Sequence, residues 1–261
     1  MDFPLSVHVD SHQSDYLMAI VILSWWYNLS VCNQKVRWFF STMNKLYLVR
    51  HGENPANITK EISCRFIDYP LTAKGRLQAE QTAHFFKNKE IDEIYASPLK
   101  RAIETAEIIA GPLGLDVHRM ENFRELDVGE LETSENLEES WRVYFEVIGE
   151  WMSGNLDVRF TGGENYYMAR NRMRAGVEQI LEGKDGRNII VVGHGGIFTT
   201  TAMDLCPGMD FESLKKVETH NCAISELDMQ QKDGRWTGTL VRWADFSHLH
   251  GEAAEVVSGL P

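Results

Sequence analysis

The sequence predicts one α/β domain, a three-layer α/β/α arrangement in which a mostly parallel central sheet carries helices on both faces. Three observations predict it. Residues 46–49 and 189–192 are short, wholly apolar runs, the pattern of strands buried on both faces. Stretches with helical spacing separate the strand patterns, so the two kinds of element alternate along the chain. No repeat, low-complexity tract or linker divides the 261 residues into two cores.

The elements follow in order. The strand at 46–49 stops at Arg50, His51 and Gly52. It thereby delivers side chains to the carboxyl edge of the sheet, where ligands bind in open α/β folds. Residues 54–69 read as a polar loop. Thr72 is expected to cap a helix whose apolar face is Ala79, Ala83 and Phe86, spaced i, i+4 and i+7. Residues 91–96 form a second strand. Ser97 and Pro98 then read as a helix start, with serine as cap, and Arg101 falls in the first turn. A short strand at 116–120 precedes a carboxylate-rich loop, 123–130. Residues 135–152 are helical in pattern, and Trp141, Phe145, Ile148 and Trp151 read as packing residues. Residues 161–164 are expected to cap a long helix ending near 182.

A turn at 183–187 leads into the second apolar strand, which ends in Gly193, His194, Gly195 and Gly196. A helix follows and stops at Cys206, Pro207 and Gly208. Residues 223–228 and 239–243 read as two late strands joined through a turn at 231–234. The working domain is expected to span 43–246, with 247–261 as a loose tail.

The first forty-two residues differ from the rest. Residues 16–34 carry no charge, but Ser24, Asn28, Ser30, Asn33 and Gln34 dilute their apolar character. Asp2, Asp10 and Asp15 stand where a signal peptide would be basic. Met43 precedes the first strand as an alternative translation start. Three readings remain for 1–42: an extension outside the working domain, a membrane anchor with Lys35 and Arg37 on the cytoplasmic side, or a helix packed on the domain or a partner.

The net charge of -12 argues against nucleic acid as partner. It leaves room for a small phosphate, because a few arginines can make a local cationic pocket. The four cysteines, Cys32, Cys64, Cys206 and Cys222, form no C-x-x-C pair or zinc pattern, which fits unpaired thiols in the reducing cytoplasm. Asn57-Ile58-Thr59 matches a glycosylation sequon, a pattern short enough to arise by chance.

The chemistry depends on Arg50, His51, Arg101 and His194 converging. Two guanidinium forks match the oxygens of a phosphoryl group. A neutral imidazole can attack phosphorus and hold the phosphoryl group on nitrogen. A second histidine, if protonated, adds charge to the oxygens, and a carboxylic acid must protonate the leaving oxygen. No metal site or other cofactor is expected, since the chain shows no dedicated acidic cluster for one.

These residues carry a resemblance. Arg50-His51-Gly52-Glu53 resembles the signature of the histidine phosphatase superfamily, the phosphoglycerate-mutase-like proteins. The similarity continues at Pro70-Leu71-Thr72-Ala73-Lys74-Gly75, Ser97-Pro98-Leu99-Lys100-Arg101-Ala102, Arg124-Glu125-Leu126-Asp127, Gly162-Gly163-Glu164 and Gly193-His194-Gly195-Gly196. The blocks stand in family order over about residues 43–245. The resemblance implies that His51 is the phosphorylated nucleophile. It implies that Arg50, Arg101 and His194 hold the phosphoryl oxygens, with Asn57 and Arg65 also in the phosphate pocket. Glu125 matches the family's proton donor. Asn165, Pro55 and Thr133 depart from the usual pattern at positions that shape the substrate rim.

The implied activity is that of the phosphatase branch: a metal-independent phosphomonoesterase acting on a small phosphorylated metabolite. Mutases of the family carry a longer insertion after the proton donor, whereas here only residues 131–161 intervene. A cofactor-dependent mutase and a non-catalytic phosphate-binding protein of the same fold are the alternatives. A homodimer is compatible with all of these.

Overall fold

In the computed structural model, described for residues 43–209, 214 and 219–256, six strands form one sheet in the order β3-β2-β4-β1-β5-β6. The strands are β1 (Asn44–Arg50), β2 (Glu93–Ala96), β3 (Val117–Arg119), β4 (Asn188–Gly193), β5 (Ile224–Lys232) and β6 (Arg235–Asp245). The first four run parallel, and β5 joins β1 antiparallel. The sheet is therefore mostly parallel, as expected, with an antiparallel hairpin at one edge. That hairpin turns on Asp233 and Gly234, both at positive φ (51° and 76°), the backbone a two-residue primed turn requires. Both hairpin strands extend beyond the lengths the sequence pattern marks.

Alternation along the strands sends side chains to two cores. Leu46, Leu48, Ile189 and Val191 face one side, where they meet Met173, Val177 and Ile180 of α5 (Tyr166–Leu181) and Ile197 of α6 (Gly195–Leu205). Tyr47, Val49, Ile190 and Val192 face the other. There they meet Phe86 of α2 (Ala73–Phe86) and Ala102, Ala106 and Ile109 of α3 (Lys100–Ala110). Two small residues set a close crossing between β1 and α2: a Cβ on Gly52 would lie 2.4 Å from the Gly75 carbonyl oxygen. Glu53 secures the same junction. It accepts from the Thr72 hydroxyl at 2.8 Å, and its own N–H donates to Gln78 Oε1 at 2.8 Å.

Four local expectations need correction. The loop at 54–69 contains a short helix, α1 (Pro55–Thr59), held by reciprocal side-chain bonds between Asn54 and Asn57. Ser97 does not cap α3: Leu99 occupies the cap position, and the Ser97 hydroxyl is committed elsewhere. The cap of α5 is Asn165, which accepts from the Met168 N–H, rather than residues 161–164. The described part of the tail, 247–256, is not loose. Leu249 and Ala253 are buried with Leu71 and Ala79, and Gln78 donates to the Ala253 carbonyl at 3.1 Å.

Among the described residues, no helix is long and apolar enough to cross a membrane. The readings of residues 1–42, the anchor included, lie outside the described residues.

Candidate active site

Strand register brings the two histidines together. β1 and β4 pair in parallel with Arg50 opposite Gly193, so the next residue of each strand is a histidine. The His51 N–H continues the ladder by donating to the Gly193 carbonyl at 2.9 Å. The imidazoles of His51 and His194 lie 5.2 Å apart, centroid to centroid. On the other side of β4, Ala96 of β2 pairs with Val192, which sets Ser97 beside His194. Its hydroxyl lies 2.7 Å from His194 Nε2. The serine thus orients a histidine instead of starting a helix.

The tautomer of His51 follows from its partners. Nδ1 is 2.7 Å from the Gly52 carbonyl, which can only accept, so Nδ1 carries the proton. Nε2 then presents its lone pair, with the Arg101 Nε–H 3.2 Å away. Burial, reinforced by the Arg101 and Arg50 charges, holds the His51 pKa well below the usual histidine range. Burial and the Arg101 charge do the same to His194. Both imidazoles are neutral at pH 7, so the free protein does not carry the second histidine as a cation.

Arg101 is buried and oriented by Ser63. Its Nη1 donates to the Ser63 hydroxyl at 3.1 Å and its Nη2 to the Ser63 carbonyl at 2.7 Å. Burial pulls its pKa down to about 10, against the opposing pull of Glu125 and Asp68, so it stays charged at pH 7. Glu132, outside the site, holds the segment carrying Ser63. Its Oε1 accepts the backbone N–H groups of Cys64, Arg65, Phe66 and Ile67 at 2.8–2.9 Å. Burial alone would raise the Glu132 pKa, but the bonds from Cys64 and this loop outweigh it and the pKa is lowered.

Glu125 sits at the start of α6, where its carboxylate accepts from the N–H groups of Gly196 (3.1 Å) and Ile197 (2.7 Å). The carboxylate packs close to Gly196, where a Cβ would lie 2.7 Å from Glu125 Oε1 and would push the carboxylate aside. Arg172 pins the same loop from behind. It pairs with Glu164 at 2.9 Å and donates to the carbonyls of Asn122 and Arg124 at 2.8 Å.

These groups open onto one cavity of about 920 Å³. Arg50, His51, Asn57, Arg101 and Glu125 line it, while His194 is fully buried beside His51. Asn57 Oδ1 already accepts from Asn54 and Asn221, so what it can offer a ligand is its amide N–H. Arg65 is a correction. It pairs with Asp127 at 3.1 Å, lies over the Phe66 ring and does not line the cavity.

Sequence reasoning misses Thr219, His220 and Asn221, which line the same cavity, Asn221 in contact with Asn57. Thr219 accepts from Arg50 through its carbonyl, and Asn221 Nδ2 donates to the His51 carbonyl at 3.1 Å. Their signal is topological: they directly precede β5, which starts where β1 ends because the two strands are antiparallel. Among the described residues, no group of three or more His, Cys, Asp or Glu side chains is placed to hold a metal ion.

A profile of the histidine phosphatase superfamily (branch 1) matches residues 46–245. The chain belongs to this superfamily. A protein of Salmonella choleraesuis (strain SC-B67) named "Probable phosphoglycerate mutase GpmB" is 34% identical over 222 residues, covering 82% of this chain and 98% of that protein. Solved structures also match. A mutant phosphoserine phosphatase from Entamoeba histolytica, solved with phosphoserine, superimposes with a TM-score of 0.62 at 25% identity, covering 80% of this chain and 100% of that one. The alpha-ribazole phosphatase of Shigella flexneri gives a TM-score of 0.61 at 25% identity, covering 77% and 96%.

Proposed function

We propose that this chain is a metal-independent phosphomonoesterase that works through a phosphohistidine on a small phosphorylated metabolite. The observation that carries the reading is His51. Its Nδ1–H is committed to a carbonyl, its Nε2 lone pair faces the cavity's buried arginine, and its surroundings keep it neutral. Nε2 attacks phosphorus and the P–O bond to the alcohol breaks. The forks of Arg50 and Arg101 hold the phosphoryl oxygens, and Glu125 gives the leaving oxygen its proton. Glu125 then takes a proton from water as that water attacks phosphorus, and the P–N bond breaks to release phosphate. His194 is proposed to donate an N–H to the phosphoryl group from Nδ1, which is buried and has no hydrogen-bond partner among the described residues. The Ser97 hydroxyl would fix that tautomer by donating to Nε2.

The mutase reading draws on the name of the Salmonella relative. A bisphosphate needs a second anion site, and the cavity offers little for one. Beyond Arg50 and Arg101, Lys60 is the one lysine or arginine among the described lining residues, and Glu61 lies beside it. Water access also favours hydrolysis, because the segment after Glu125 holds one helix, α4 (Leu137–Met152), and short turns rather than a large cover. A cytoplasmic setting fits the unpaired thiols among the described residues, Cys64, Cys206 and Cys222, all buried.

The test is hydrolysis of p-nitrophenyl phosphate by the full chain in EDTA, beside His51→Ala and Glu125→Gln. Activity is expected, abolished in His51→Ala. In Glu125→Gln it should fall far more for alkyl phosphates than for the activated aryl ester, which needs little protonation. Strict dependence on a divalent ion would overturn the metal-free route. Interconversion of phosphoglycerates only with 2,3-bisphosphoglycerate present would establish the mutase. A folded protein that binds phosphate without turnover would be the non-catalytic alternative.

A further inference from the structure

Helix α4 is apolar on two faces. Val147 and Trp151 point into the core and are buried. Trp141, Phe145, Ile148 and Met152, spaced i, i+4, i+7 and i+11, share another face that lines the cavity. The described residues do not close this face: Phe145 is 43% exposed although it stacks on Trp141 with centroids 5.8 Å apart. Val256, which lines the same cavity, is 42% exposed as well. A helix that presents large side chains to water on its second face leaves apolar surface for something to cover. The wall belongs to the same cavity as His51 and Arg101, so a molecule whose phosphoryl group sits on the arginines extends its remainder along α4. The aromatic rings are already braced: Tyr144 packs against Phe160 at 5.7 Å and against Trp141 at 5.3 Å, and the Trp141 indole N–H donates to the Lys60 carbonyl at 2.8 Å. A preformed wall of this kind loses little side-chain freedom when a ligand covers it.

We propose that the cavity selects phosphomonoesters whose alcohol part is a medium-chain alkyl or aryl group, seated on Trp141, Phe145, Ile148 and Met152. The proposal rests on the phosphomonoesterase reading and names its substrate class. A compact polar alcohol, such as glycerate or serine, leaves the wall wet, and a second anion meets chiefly Lys60 beyond the phosphoryl site.

The test is a chain-length series on the full chain: ethyl, butyl and hexyl phosphate, whose leaving alcohols are almost equally acidic, beside 3-phosphoglycerate. The kcat/KM is expected to rise about threefold per added methylene, roughly fifty- to a hundredfold from ethyl to hexyl. Phe145→Ser should cut the hexyl-to-ethyl ratio by about tenfold. Met168→Ser, an exposed position on α5 outside the cavity, should leave that ratio unchanged. Calorimetric binding of ethylphosphonate and hexylphosphonate, which cannot be hydrolysed, reads the same preference without turnover. A flat series with turnover intact overturns the apolar wall and leaves the phosphatase standing. Absence of turnover with a steep phosphonate ratio overturns the phosphatase and keeps the wall. Preference for 3-phosphoglycerate, or equal phosphonate affinities, refutes the proposal directly.

Discussion

His51 reacts through a lone pair, so its neutrality matters more than its charge. Its pKa is held well below the usual value by burial first and by Arg101 and Arg50 second. The sign follows directly: as pH falls through 6.5, an ordinary histidine gains a proton and this one does not. The kcat/KM for p-nitrophenyl phosphate, corrected for ionisation of the ester, is therefore expected to show no enzyme limb at 6.5. The acid limb should lie clearly lower, and a limb at or above 6.5 would contradict the buried neutral imidazole. Arg101 adds a second expectation. One guanidinium reaches His51 through Nε and Ser63 through both terminal nitrogens. Lysine keeps the charge but cannot make those three contacts at once. Arg101→Lys should lose about 10²–10³ in kcat, the order seen when one preorganised donor is removed. Near-normal turnover in that variant would show that charge alone suffices.

The elements that carry the site differ in how plainly the sequence announces them. β1 and β4 are legible because a strand covered on both faces must be apolar at every position, and residues 46–49 and 189–192 are. Their convergence is legible too, since two such strands end in histidine and parallel strands in register end together. Ser97 is not, because serine before proline carries the same local signal whether it caps a helix or bonds a histidine 97 positions away. The helix at 55–59 hides because five residues show no periodicity, and Arg65 misleads because its partner, Asp127, is distant in sequence. Trp141, Phe145 and Ile148 are read as core because spacing marks an apolar face without saying what covers it.

Glu132 is the least legible of all. Nothing in the residues around it signals burial, yet it is buried and gathers four backbone N–H groups. Glu132→Gln replaces one oxygen by an NH₂ group and removes the charge those donors face. Urea unfolding should show a loss of about 2–3 kcal/mol. Because the gathered loop carries Ser63 against Arg101, kcat should fall as well, with the KM for the phosphate ester raised. A stability loss without a change in kcat or KM would separate Glu132 from the arginine.

Taken together, the buried histidines make the whole domain sensitive to acid. His51 and His194 are held well below their usual pKa, chiefly by burial, and burial lowers His248 to about 4. In the unfolded chain each returns to about 6.5, so below that pH the unfolded state binds more protons than the folded one. Stability contributed by these groups is present above pH 6.5 and is lost as pH falls towards their folded values. The slope is at most about 1.4 kcal/mol per pH unit for each fully buried histidine, and less for the partly exposed His248. Asp92, Glu93, Glu132 and Asp245 also have lowered pKa values, but their contribution is lost only below the ordinary carboxylate range. The window between pH 6.5 and 5 therefore belongs to the histidines. Titration of the acidic chain towards neutrality works in the opposite direction by relieving self-repulsion, which makes a difference measurement the informative one. His248→Phe keeps a ring against Phe85, whose centroid lies 5.2 Å from the imidazole, and removes one titrating group remote from the cavity. Unfolding free energies at pH 8.5, 7.5, 6.5 and 5.5 should fall less steeply below 7 for His248→Phe than for the wild type, with the two slopes alike above 7. Parallel slopes throughout would mean that His248 takes up its proton in the folded protein and is not held neutral by burial.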